Sequence, residues 1–193
     1  QDYYIDAEAE LLRFIKVYPR HKNLDYAYYL LGITYFKQIV DEKKDLQSII
    51  NAKKTFESIN RDFPNTEYAL DSEFKLDLIN DILASKEMYV GRYYFERKKW
   101  IPAINRFRKV VDDYNTTIYI EEALHRLVEV YYNLGLIEES EKYANLLGYN
   151  YQSSEWYKNS YLVFNKNYKK EENLKNKNNS ILKKIKSLID WDE

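Results

Sequence analysis

Glu87 to Asn115 reads E-M-Y-V-G-R-Y-Y-F-E-R-K-K-W-I-P-A-I-N-R-F-R-K-V-V-D-D-Y-N. Glu87, Val90, Gly91 and Tyr94 stand at offsets 0, 3, 4 and 7, one face of a helix. Nine positions after Tyr94 comes Ala103, followed at offsets 4, 7 and 12 by Phe107, Val110 and Asn115. This is tetratricopeptide (TPR) spacing, a helical hairpin of about 34 residues. Gly91 and Ala103 are small where two helix backbones are expected to cross, and a larger side chain would push them apart. Tyr94 and Phe107 are expected to fill the space around that crossing.

The spacing recurs along the chain. Ala7, Leu11, Phe14 and Pro19 repeat the second-helix offsets, as do Ala52, Phe56, Ile59 and Pro64, and more weakly Ser140, Ala144, Leu147 and Gln152. First-helix faces appear at Tyr28, Leu31, Gly32, Tyr35 and at Leu124, Leu127, Val128, Tyr131. The expected fold is all-α: a tetratricopeptide-repeat array, an α-solenoid whose repeats contact their neighbours in turn. Residues 1–164 form the array, and 165–193 form a separate tail.

From Thr66 to about Lys98 there is no proline, and Gly91 is the only glycine. The expectation is one long bracing helix, about 45 Å at 1.5 Å per residue; a break near Ala84-Ser85 is the alternative. Residues 3–17 read as a second helix whose first-helix partner lies upstream of Gln1. Asp25 reads as the N-cap of the next helix. The separation of Tyr35 from Ala52 is 17 where the repeat needs nine, which marks a charged excess over Gln38–Leu46. Trp100 opens a helix with Pro102 in its first turn, where proline is tolerated. Ser153 or Ser154 caps a closing helix that carries Trp156, Tyr157, Tyr161 and Phe164.

The tail holds eight Lys and six Asn. Asn165–Asn179 reads as disordered or frayed. Ser180–Asp190 has the pattern of a short amphipathic helix, suited to a membrane surface, a partner groove or the repeats themselves.

Composition narrows the function. Net charge is −1, which gives no whole-molecule attraction for nucleic acid or an anionic membrane. Cysteine is absent, so there is no disulfide or thiolate site. No apolar run is long enough to span a bilayer as a helix. The 21 tyrosines suit helix junctions, with rings inside and hydroxyls at the edge. The two histidines, His21 and His125, lie in different repeats without metal-ligand spacing, and no phosphate loop or nucleophile elbow is present. His125 reads as a groove or surface residue, and Glu121-Glu122 as a solvated helix end. No catalytic group, metal or cofactor is expected, and the work of the chain is binding. Arg106 stands out: Ala103, Phe107 and Val110 define the buried face, so Arg106 points off it and offers a planar fork to a partner carboxylate.

Three blocks resemble the BamD family, the TPR lipoproteins of the outer-membrane β-barrel assembly (BAM) machinery. H-K-N-L-D-Y-A-Y-Y-L-L-G (His21–Gly32) resembles the family's H-P-N-x-D-Y-x-x-Y-x-x-G segment, with Lys22 in place of proline. F-P-N-T-E-Y-A-L-D-S (Phe63–Ser72) is similar to its Y-P-N-S-x-Y-x-x-D-A turn. V-G-R-Y-Y-F-E-R-K-K-W-I-P-A-I-N-R (Val90–Arg106) is similar to the block that carries the docking arginine. The resemblance covers roughly residues 5–164. It implies a non-catalytic scaffold at the periplasmic face of the bacterial outer membrane, held by a lipidated cysteine that lies outside this chain. The implied partners are the POTRA domains of BamA, unfolded outer-membrane β-barrel proteins and other lipoproteins of the machinery. Carried over by position, the BamA contact falls on Arg106 and Asn105, with Arg97 and Trp100 nearby. The implied substrate contacts are His21, Asn23, Asp25 and Tyr29. A TPR co-chaperone that grips peptide C-termini wants Lys and Asn on its first helices. This chain offers Tyr29 and Ile33, Met88 and Arg92, His125 and Glu129 instead. A structural envelope lipoprotein would differ only in lacking barrel substrates.

Overall fold

The computed structural model describes residues 2–39 and 46–165. Both the charged excess near Gln38–Leu46, over most of its length, and the amphipathic pattern at Ser180–Asp190 therefore lie outside the described residues.

Among the described residues the chain forms eight α-helices: α1 (Asp2–Val17), α2 (Leu24–Lys37), α3 (Leu46–Asp62), α4 (Glu67–Glu96), α5 (Trp100–Asp113), α6 (Ile120–Asn133), α7 (Ile137–Asn150) and α8 (Glu155–Phe164). Each helix packs on its sequence neighbour, so α2–α3, α4–α5 and α6–α7 are antiparallel hairpins stacked in series. The helix expected from Thr66 onward is unbroken at Ala84-Ser85 and runs for 30 residues. Thr66 caps it, its hydroxyl accepting from the Ala69 N–H at 3.2 Å. Asp71 of α4 bonds to Tyr29 of α2, Asn80 to Lys53 of α3 and Glu87 to Arg106 of α5, so α4 braces two hairpins.

The same small-against-aromatic contact sets two hairpins. A Cβ on Gly32 would sit 2.6 Å from the Phe56 ring, and one on Gly91 would sit 2.5 Å from the Phe107 ring. Both rings are fully buried and cannot swing aside. The glycines thus make room for an aromatic ring on the second helix rather than for bare backbone.

Two hairpin turns also share a design. At α4–α5, Lys99 N–H donates to the Tyr94 carbonyl and Lys98 N–H to that of Phe95, both at 2.9 Å. At α6–α7, Leu136 and Gly135 repeat the pattern on Tyr131 and Tyr132, both at 3.0 Å. This doubly bonded helix end needs a left-handed residue. Gly135 supplies it at φ 75°, and Lys98 does so at φ 56° against the usual preference for glycine.

A polar seam joins first helix to first helix. Tyr29 of α2 donates to Asp71 of α4 at 2.8 Å. Arg92 of α4 donates to Glu122 of α6, with Nε–Oε1 at 2.8 Å. His125 of α6 meets Ser160 of α8 at 2.8 Å. Glu122 is therefore a nearly buried anchor, not a solvated helix end, and Arg92 is its counter-ion. His125 is likewise no surface residue: α8 lays Trp156 over it, ring centroids 5.3 Å apart, and leaves it 4 % exposed.

Burial lowers the His125 pKa below its ordinary 6.5; Arg126 lowers it too, while Glu129 and Glu122 oppose both. A group depressed in this way supports stability above its unfolded pKa and loses that support as pH falls through the folded value. The thermal midpoint is expected to drop between pH 7.5 and 5.5. His125→Gln should remove most of that dependence, and an equal slope in both proteins would contradict this role for His125.

Candidate functional site

Helix α5 buries Ala103, Phe107 and Val110 completely. That phase turns Arg106 to the edge of the α4–α5 seam, where its side chain is 42 % exposed. Arg106 does stand off the buried face, but it is already engaged. Its Nη1 donates to Glu87 Oε2 at 2.9 Å, and Lys109 Nζ donates to Glu87 Oε1 at 2.8 Å. Glu87 is only 12 % exposed at its side chain. Burial alone would raise its pKa, but the hydrogen bonds from Lys109 and Arg106 outweigh that and hold it below the usual carboxylate value. Lys109 is raised in turn, chiefly by its hydrogen bond to Glu87.

Beside this trio a cavity of about 510 Å³ opens between α3, α4 and α5. Arg106, Glu87 and Lys109 form part of its wall. Asn105 is exposed on the adjacent face of α5, beside Arg108 and Asp112.

Arg97 and Trp100 lie elsewhere, at the α4–α5 turn. Arg97 stacks over the Tyr93 ring at 3.6 Å and donates to the Tyr93 carbonyl at 3.2 Å. Trp100 meets Phe95 edge-on at 5.6 Å and packs against the core. Six residues of helix separate Trp100 from Arg106, about 9 Å along the axis. The four expected contact residues therefore form two patches on one hairpin.

The second candidate set gathers at the α1–α2 turn. Asn23 N–H donates to His21 Nδ1 at 3.2 Å, and the His21 ring lies against Phe14, centroids 5.1 Å apart. The helix begins one residue before the position expected to cap it. Asn23 is the N-cap, and Asp25 lies in the first turn, accepting from the Tyr26 N–H at 2.8 Å. There its charge still favours the helix N-terminus. Tyr29 is not a free groove residue. Burial first, then the Asp71 hydrogen bond, pushes its pKa up to about 12.

Helical spacing alone does not pair Arg106 and Lys109 with Glu87. A signal was present, since Glu87 opens the apolar face shared with Val90, Gly91 and Tyr94. A carboxylate there needs a cation, and Arg106 and Lys109 stand three apart on the facing helix. Among the described residues no group of three or more His, Asp or Glu side chains could hold a metal ion.

The architecture defines a class: a TPR-type helical array with charged edges. The model of the YfiO family, described as outer membrane lipoprotein, matches residues 1–147. The chain belongs to this family, known also as BamD. It is 46 % identical over 165 residues to the outer membrane protein assembly factor BamD of Rickettsia prowazekii, covering 86 % of this chain and 65 % of that protein. It is 41 % identical over 164 residues to the BamD of Caulobacter vibrioides, covering 85 % and 54 %. The BamD of Neisseria meningitidis serogroup A is 34 % identical over 148 residues, covering 69 % and 55 %. The chain thus spans a little over half to about two thirds of the length of these relatives. Family membership implies association with the outer membrane.

Proposed function

We propose that this chain is the scaffold portion of an outer-membrane protein assembly factor. It works without catalysis, holding the POTRA domains of BamA at the α5 edge and receiving unfolded β-barrel proteins at the α1–α2 end. The observation that carries the reading is Arg106. It is a half-exposed arginine on the edge of the α4–α5 seam, beside a cavity, within the sequence block similar to the family's docking block. Its bond to Glu87 uses one nitrogen of the fork and leaves donors for an incoming carboxylate. His21, Asn23 and Asp25 would offer polar contacts at the other end, with Tyr29 holding α2 in place. The site of action would be the periplasmic face of the outer membrane.

Two titrations test this, one with purified BamA periplasmic domains and one with a urea-unfolded outer-membrane β-barrel protein diluted into buffer. Saturable binding of both is expected. Absence of binding to the POTRA domains would overturn the scaffold reading.

A further inference from the structure

The cavity beside Arg106 has a composition that specifies an occupant. Its lining includes the apolar Ile50, Leu83 and Val90. Its wall carries five cations, Lys53, Lys54, Lys86, Arg106 and Lys109, against two carboxylates, Glu57 and Glu87. Lys53 is occupied by Asn80 at 2.9 Å and Glu57 at 4.0 Å. Among the described residues, Lys54 and Lys86 have no acidic partner. Counted over the described residues, the cavity lining is therefore three charges positive beside apolar side chains, complementary to an acidic segment with a large apolar side chain.

Glu87 adds a constraint. A nearly buried carboxylate without a cation is costly, so if Arg106 were its only partner the arginine could not leave. Lys109 holds the other oxygen at 2.8 Å. We propose that the cavity takes an acidic, apolar segment of the protein partner by counter-ion exchange. An apolar side chain enters over Ile50, Leu83 and Val90. The adjacent carboxylate draws Arg106 away from Glu87, and Lys109 keeps Glu87 neutralised. Lys109 is thus a positioning residue that acts through Glu87 and need not touch the partner. The inference rests on the reading of Arg106 as the contact, and it goes further by naming the chemistry of the occupant and the residue that makes the exchange possible.

The test is a double-mutant cycle read by titration of purified BamA periplasmic domains. Lys109→Met should weaken binding about 5- to 10-fold when Glu87 is present, and less than about 2-fold when Glu87 is already Gln. Glu87→Gln alone should leave binding equal to or tighter than wild type. Lys54→Glu should weaken binding about 10-fold through the cavity rim. Melting curves on each variant separate loss of fold from loss of contact, and Lys109→Gln replaces Lys109→Met if the latter unfolds. Equal weakening by Lys109→Met in both Glu87 backgrounds would overturn the exchange, because Lys109 would then act on the partner directly. A wild-type affinity for Lys54→Glu would remove the cavity as the docking pocket. Unchanged binding by Arg106→Ala would instead strike the underlying reading, so the two failures are distinguishable.

Discussion

Gly91→Ala is expected to destabilise the array by about 1–3 kcal/mol, the usual cost of overpacking. An added Cβ would stand 2.5 Å from Phe107 Cε1, closer than carbon atoms approach, and the ring is fully buried. If the clash is with that ring alone, Phe107→Ala removes it. Phe107→Ala itself should cost about 3–5 kcal/mol as a large buried ring is lost. In that background Gly91→Ala should turn neutral or stabilising by up to about 1 kcal/mol, because alanine is the better helix former. Urea unfolding followed by circular dichroism reads all four proteins of the cycle. Additive losses would mean that Gly91 is required for some other close approach.

Arg106→Ala should weaken binding to the POTRA domains by about 2–5 kcal/mol if its guanidinium is buried against a partner carboxylate. Removing one member of such a pair strands the other, so the loss should appear mainly as faster dissociation. The fold should change little. Arg106 is 42 % exposed, and Lys109 still neutralises Glu87, so solvent screening limits the loss of stability to under about 1 kcal/mol. Arg106→Lys should recover only part of the binding, since an ammonium cannot make the bidentate fork. Dissociation rates of wild type and both variants from immobilised POTRA domains measure this. Three equal rates would take Arg106 out of the interface.

Helical spacing revealed the array because each helix must bury one stripe, and that stripe is written at offsets of three and four. It located the Gly91–Phe107 hairpin and the long α4, and it left the cap of α8 open between Ser153 and Ser154, of which Ser154 takes the position; the cap at Thr66 it did not mark. It did not reveal what meets what across the seam. Tyr29 and Asp71 are 42 residues apart, Arg92 and Glu122 are 30 apart, and His125 and Ser160 are 35 apart. Periodicity reports which face of one helix is covered, not which residue of the next first helix covers it. Spacing therefore reads His125 as a groove or surface residue, whereas Trp156 of α8 covers it. Arg106 shows the same limit. Its direction off the core followed from Ala103, Phe107 and Val110, whereas its bond to Glu87 depends on how α5 slides along α4. Lys98 explains another gap: spacing marks the end of α4 but gives no sign that a lysine, not a glycine, takes the left-handed position.

Binding of the BamA periplasmic domains through the Arg106 edge, as proposed, can be measured directly. The direct measurement is a calorimetric titration of purified POTRA domains into the wild-type chain and into Arg106→Ala, with circular dichroism on both. The account predicts saturable binding by the wild type, an affinity at least about 30-fold weaker for Arg106→Ala, and matching helical spectra and melting curves. Indistinguishable affinities with matching spectra, or no binding by the folded wild type, would contradict it.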